Sequence, residues 1–218
     1  MKLVLNTILL FLVISLCAQN NKEKKRILDL SFSFSGLGGD YVTNSMGIQL
    51  DAEVGISSNL GLQCGVRYIF DTPKHKNNGF FTINVDNLTG FLIDLELKKY
   101  TTSLLKDYLK GGYLGSKIVY LFTKTYRDNY QTIRHKTGLY GIIGWKHIAS
   151  SGFLCEAYTG IGMQIIFSRS NNNPNKNYYI PIEFPWSKPY SEGIGCYPDI
   201  TCNFRIGWRI KYKKDLLK

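Results

Sequence analysis

The chain has 218 residues and five cysteines, and 27 Lys and Arg against 16 Asp and Glu give it a formal charge of +11. That length suits one all-β barrel or sandwich domain. No Cys/His spacing fits a zinc site, so no metal and no cofactor are expected. A basic protein often meets nucleic acid, but an exported one rarely does, which turns attention to phosphorylated lipid or acidic glycan as the anionic neighbour.

Export is read from the N-terminus. "MKLVLNTILLFLVISLCAQNN" has Lys2, an apolar run from Leu3 to Leu16, then small and polar residues. This predicts a cleaved secretory signal peptide over 1–18, too short and wrongly flanked for a spanning helix. Lipid attachment at Cys17 needs a small residue before it, and Leu16 stands there. The remaining domain, 19–218, loses only Lys2 from its charge, leaving +10.

From residue 27 onward the signal is a two-residue period, which belongs to β-strands with one apolar and one polar face. "ILDLSFSF" sets Leu28, Leu30, Phe32 and Phe34 against Asp29, Ser31 and Ser33. "GLGGDYVTNS" is a turn-rich connection without the lysine and helix of a phosphate loop. "MGIQLDAEVGI" places Ile48, Leu50 and Val54 opposite Gln49, Asp51 and Glu53. After the short turn "SSN", "LGLQCGVRYIF" opposes Leu62, Cys64, Val66 and Tyr68 to Gly61, Gln63, Gly65 and Arg67. A long connection carrying His75 and the sequon at Asn87 leads to "FLIDLELKK", with Asp94, Glu96 and Lys98 on its polar face. "YLGSKIVYLF" follows, with Lys117 opposite Ile118, Tyr120 and Phe122, and then a predicted polar loop, "TKTYRDNYQTIRHKT", holding His135. "GLYGIIGWKHI" is a sixth strand whose facing stays open, because both registers are mostly apolar. Past the tight turn "ASSG", "FLCEAYTGIGMQIIF" sets Cys155, Ile161 and Met163 against Glu156, Tyr158 and Gln164. The longest connection is expected from Ser168 to about Asp199. The last strand is "CNFRIGWRIKY", alternating Phe204, Ile206, Trp208 and Ile210 with Arg205, Gly207 and Arg209.

Eight strands of about ten residues, with short turns at one end and longer connections at the other, match a tilted transmembrane β-barrel. Three features place the charged face inside. Gly47, Gly55, Gly61, Gly65, Gly160, Gly162 and Gly207 share the polar parity, where a narrow lumen needs room for long side chains. Charges of both signs share it too, and can pair: Asp51, Glu53, Arg67, Asp94, Glu96, Lys117, Glu156, Arg205 and Arg209 are the expected interior network. The apolar face carries aromatics toward both ends, as an interfacial girdle does. The competing reading is a soluble, lipocalin-like binding barrel with the apolar face inward.

The segments "CAQN", "AEVGISSNLGLQCGVRYIF", "GGYLGSKIVYLF", "GLYGIIGWKH" and "CEAYTGIGMQ" resemble small eight-stranded outer-membrane β-barrel proteins of Bacteroidota, including an uncharacterised family of the same layout. The resemblance implies an all-β, eight-stranded, antiparallel up-and-down transmembrane barrel in a Gram-negative outer membrane. One departure is "KKDLLK" after Tyr212, where such barrels commonly end on an aromatic residue.

On function, the reading is a non-enzymatic barrel serving envelope integrity or binding through external loops. Its partners are outer-membrane lipid and lipopolysaccharide, with an external protein or glycan ligand as a further candidate, and no nucleic acid. The last connection interleaves Tyr178, Tyr179, Phe184, Trp186 and Tyr190 with prolines, a stiff aromatic surface suited to binding protein or sugar, or to plugging the mouth. The alternative is a lipid-modifying hydrolase using His147, Ser150 or Ser151, and Glu156. Cys196 and Cys202 flank the turn-like "YPDIT" and are the candidate disulfide; Cys64 and Cys155 read as small apolar residues.

Overall fold

A computed structural model describes residues 26–33, 45–57, 59–71, 88–101, 109–127, 130–171 and 193–212. The predicted signal peptide, His75, Asn87, residues 36–44 of the first connection and the aromatic residues of the last loop lie outside them. The elements are β1 (Arg26–Ser33), β2 (Ser45–Gly55), β3 (Leu60–Asp71), β4 (Thr89–Tyr100), β5 (Gly111–Arg127), β6 (Tyr130–Ile148), β7 (Phe153–Asn171) and β8 (Gly193–Tyr212). Each strand pairs antiparallel with its neighbour in sequence, and β1 closes on β8. The expected all-β, eight-stranded, up-and-down barrel is what forms.

The register fixes the barrel's dimensions. Stepping across directly opposed residues from Leu28 leads through Val54, Leu62, Leu97, Ser116, Gly141 and Ile161 to Ile200. Across the closing seam Leu28 faces Ile210, so one circuit is offset by ten residues along β8. With strands about 4.8 Å apart and a rise of about 3.3 Å per residue, this offset requires a tilt of about 41° and a radius of about 8 Å. A cylinder so narrow is filled by its own side chains.

The two faces of the sheet have opposite polarity, and the polar one is inside. Glu96, Lys98, Lys146 and Arg205 are 0% exposed, whereas Ile143 is 58%, Trp145 61% and Ile161 73% exposed. Alternation along β7 is nearly unbroken, with Tyr158, Gln164 and Ser168 buried between exposed neighbours and Glu156 buried between half-buried Cys155 and exposed Ala157. Glycine makes this possible. A Cβ on Gly65 would collide with the carboxylates of Asp51 and Asp94 and come within 2.6 Å of Gln49 Nε2; one on Gly144 would strike the ring of Tyr113. Gly65→Leu is therefore expected to lower unfolding free energy by about 1–3 kcal/mol in urea titrations of the refolded protein, the usual cost of overpacking.

Apolar residues pack inside the lumen toward both ends. Near the chain termini, Tyr100, Leu109 and Tyr113 pack together. Leu109 adopts a left-handed backbone conformation (φ 58°), which turns it inward, and its carbonyl accepts a hydrogen bond from Arg209 Nη2 at 3.1 Å. At the far end Ile69 and Leu88 pack with Leu92 and Leu121.

The connections differ from the sequence expectation in two places. The stretch read as a polar loop between the fifth and sixth strands is strand almost throughout, pairing from Thr123 with Arg134 out to Arg127 with Tyr130. The 168–199 connection is likewise shorter, because β7 runs to Asn171 and β8 starts at Gly193. The tight turn at 149–152 forms as read, with Ala149 N–H donating to the Phe153 carbonyl at 2.8 Å. The facing of β6, open from the sequence, is now assigned: Tyr140, Ile142 and Lys146 point inward, and Leu139, Ile143, Trp145 and His147 outward.

Candidate functional site

The interior charges meet in one network to which all eight strands contribute. Arg205 on β8 is its centre. Its Nη2 and Nη1 grip the two oxygens of Glu96 at 2.5 and 2.9 Å, and Nη1 reaches Glu156 at 3.2 Å. Its Nε makes no hydrogen bond but faces Asp51 Oδ2 at 3.4 Å. Two parallel N–H donors on one carboxylate are the strong geometry for this pair. The guanidinium also lies 4.6 Å from the centre of the Tyr158 ring.

Lysines flank this centre above and below. Lys117 bridges Asp94 at 3.0 Å and Glu96 at 2.9 Å, and donates to the Tyr158 hydroxyl at 2.6 Å. Lys98 reaches Glu156 and Gln63 at 2.5 Å and Glu53 at 3.0 Å. Lys146 bridges Asp29 at 2.5 Å and Glu53 at 2.9 Å. Arg209 takes Asp29 in a fork, at 2.7 and 2.8 Å. Tyr100 donates to Glu53 at 2.7 Å, and the Tyr113 hydroxyl donates to Glu156. Gln49 ties Asp51 to Asp94 and accepts from Arg67 Nε at 2.9 Å.

All nine residues named from the sequence thus lie on the inner face. Asp51, Glu53, Asp94, Glu96, Lys117, Glu156, Arg205 and Arg209 are buried, and Arg67 is half-buried at the network's edge. Sequence reasoning left out Asp29, Lys98, Lys146 and the tyrosines. Asp29 and Lys98 shared the polar parity and were recoverable from it. Lys146 was recoverable only through pairing, since it stands directly opposite Glu156. With it, six carboxylates (Asp29, Asp51, Glu53, Asp94, Glu96, Glu156) face six cations (Arg67, Lys98, Lys117, Lys146, Arg205, Arg209), so this network is neutral; farther along the inner face Lys136 lies 3.8 Å from Asp199, and Arg134 also points inward.

Chemically this arrangement holds itself together. Every carboxylate in it has a cation or amide within reach, each lysine is shared between two or more acceptors, and apolar residues pack on either side of it. Such clamping leaves no wide aqueous path.

The hydrolase constellation does not assemble. His147 points outward, Ser150 and Ser151 sit exposed in the turn, and Glu156 points into the lumen, so the sheet separates histidine from acid. The candidate disulfide is also overturned. Cys196 and Cys202 are free and exposed on the same strand. Six residues of extended chain hold their Cα atoms about 20 Å apart, far beyond the 4.4–6.8 Å or so that a bridge spans. Pro198 suggested a turn there but sits within β8, directly opposite Met163 on β7. Cys64 and Cys155 are free and half-buried on the outer face.

The outer face is the second candidate surface. It is apolar along its middle and aromatic at both ends. Phe153 packs edge-on against Trp208 near the termini. At the far end Phe91 stacks on Phe122, and His135 contacts Phe122 and Phe167 while its Nδ1 lies 2.7 Å from the Tyr120 hydroxyl. His135, read as a loop residue, therefore belongs to the far aromatic ring. Ten residues separate Trp145 from His135 along β6, a climb of about 25 Å at the barrel's tilt.

No family model, curated protein or solved structure matches this chain.

Proposed function

We propose that the chain is a non-enzymatic outer-membrane β-barrel protein, of the small Bacteroidota type that its segments resemble, exported through a cleaved signal peptide. It serves the envelope as a closed, lipid-embedded barrel and binds, where it binds, through its external connections. One observation carries the reading: large apolar side chains are exposed around the barrel while a neutral charge network is buried inside. In water that distribution is costly on both sides, since exposed apolar area is unfavourable and buried charge is desolvated. In lipid the outer face is at home, the eight strands pair in a closed ring, and an apolar band about 25 Å tall between aromatic rings fits the hydrocarbon.

The lipocalin-like alternative needs an apolar, hollow interior, and this lumen is polar and filled. The hydrolase alternative loses its constellation. The test is fractionation: the protein is expected in the outer membrane, extracted only by detergent, with a faster-migrating folded band on mildly denaturing gels that shifts on boiling. Recovery in the soluble periplasmic fraction without detergent would reject the reading.

A further inference from the structure

Charge on the outside of the barrel is distributed differently from charge within it. Every carboxylate whose side chain is described points inward, the six of the network and Asp199, which accepts from Tyr140 at 2.6 Å. The charged groups on the described outer face are cations. Two of them stand together beyond the far aromatic ring: Lys124 on β5 and Arg169 on β7, both directly opposed to Ile133 on β6 between them. Two residues closer to the barrel's middle on the same three strands come Phe122, His135 and Phe167. Lys124 leans over the ring of Tyr126, 5.0 Å from its centre, and Arg169 is exposed. Neither forms an ion pair with a carboxylate among the described residues.

We propose that Lys124 and Arg169 form a cradle for the phosphate of an outer-leaflet glycolipid, with its acyl chains lying on the aromatic and aliphatic face below. This rests on the membrane reading and names the lipid partner at that rim. Aromatic rings mark the level where hydrocarbon gives way to headgroups. Two residues further along a strand tilted at about 41° lie about 5 Å higher, the level of headgroup phosphates. Two strand spacings put the Lys124 and Arg169 backbones about 10 Å apart, so two long side chains converge on one phosphate above Ile133. Arginine supplies a planar fork to two phosphate oxygens and lysine a point charge, and among the described residues no outward carboxylate competes for them. This rim lies opposite the chain termini, which puts it in the external leaflet when the termini are periplasmic.

The test uses the refolded mature protein in phosphatidylcholine nanodiscs doped with one of three probes: lipid A with its phosphates, the same glycolipid dephosphorylated, or phosphatidylglycerol. Retention of the probe is read by native mass spectrometry. Wild-type protein is expected to retain phosphorylated lipid A at least tenfold over either other probe. Arg169→Gln should reduce that preference, and Lys124→Gln/Arg169→Gln should abolish it, with the heat-modifiable folded band unchanged in both. Lys99→Gln, an exposed outward cation near the opposite end, should leave it intact. Equal retention of all three probes, or preference surviving in the double variant, would overturn the cradle. A protein that never enters the nanodiscs would instead overturn the membrane reading, and the two failures are distinguishable.

Discussion

Replacing Arg205 with alanine is expected to cost the folded protein about 3–5 kcal/mol, the penalty for leaving a buried ion without its partner. Arg205 is 0% exposed and contacts Glu96, Glu156 and Asp51 from one guanidinium. Its loss leaves Glu96 with Lys117 and, at 3.6 Å, Lys98, and leaves Asp51 without its cation. The neutral network becomes negative by one charge within a buried layer. No backbone contact need change for this cost to appear. Arg169→Ala is the matched control, because the same residue type on the outer rim should cost within about 0.5 kcal/mol. Urea unfolding of both variants in lipid vesicles reads the difference. The large value measures the penalty of breaking the network; the intact network's own worth is smaller, since desolvation offsets most of its attraction.

Leu139→Lys is expected to cost about 2–4 kcal/mol in bilayers, the price of an ammonium near the midplane. Leu139 sits on β6 between Thr137 and Gly141, near the middle of the apolar band, and points away from the barrel, 60% exposed. Were water its surroundings, a lysine there would cost within about 0.5 kcal/mol, as exposed substitutions generally do. The contrast is sharp because the side chain touches little protein on either account. Measured unfolding free energies in vesicles separate the two environments.

Much of this was legible in the sequence, and the reason is the period of two. In β2, β3, β4 and β8 the apolar and polar faces are cleanly separated, so Asp51, Arg67, Glu96 and Arg205 announce a common side. Glycine on that same side distinguishes a crowded lumen from a solvated surface. β6 defeats the method because its inner face is itself partly apolar. Tyr140 and Ile142 line the lumen while Leu139 and Ile143 face out, and only Lys146 breaks the tie. Beyond the apolar band the signal fades for a different reason. Above the far aromatic ring both faces are polar, so Thr123, Thr125 and Thr132 look like loop residues although they are regular strand. Pro198 misled in the same region: with Asp199 it has the composition of a turn, yet it stands in regular strand opposite Met163. Tyr120–His135 could not be foreseen at all: its residues lie fifteen apart, and the pair depends on the β5–β6 register.

The most direct test of a membrane-embedded, polar-cored barrel is the environment of a probe on its outer face. A single fluorophore placed by Leu95→Cys, in a variant whose native cysteines are serine, should emit as in hydrocarbon when the protein is refolded into vesicles. Lipids brominated in mid-chain should quench it, and aqueous iodide should not. Quenching by iodide without quenching by the brominated lipids would place that face in water and contradict the account.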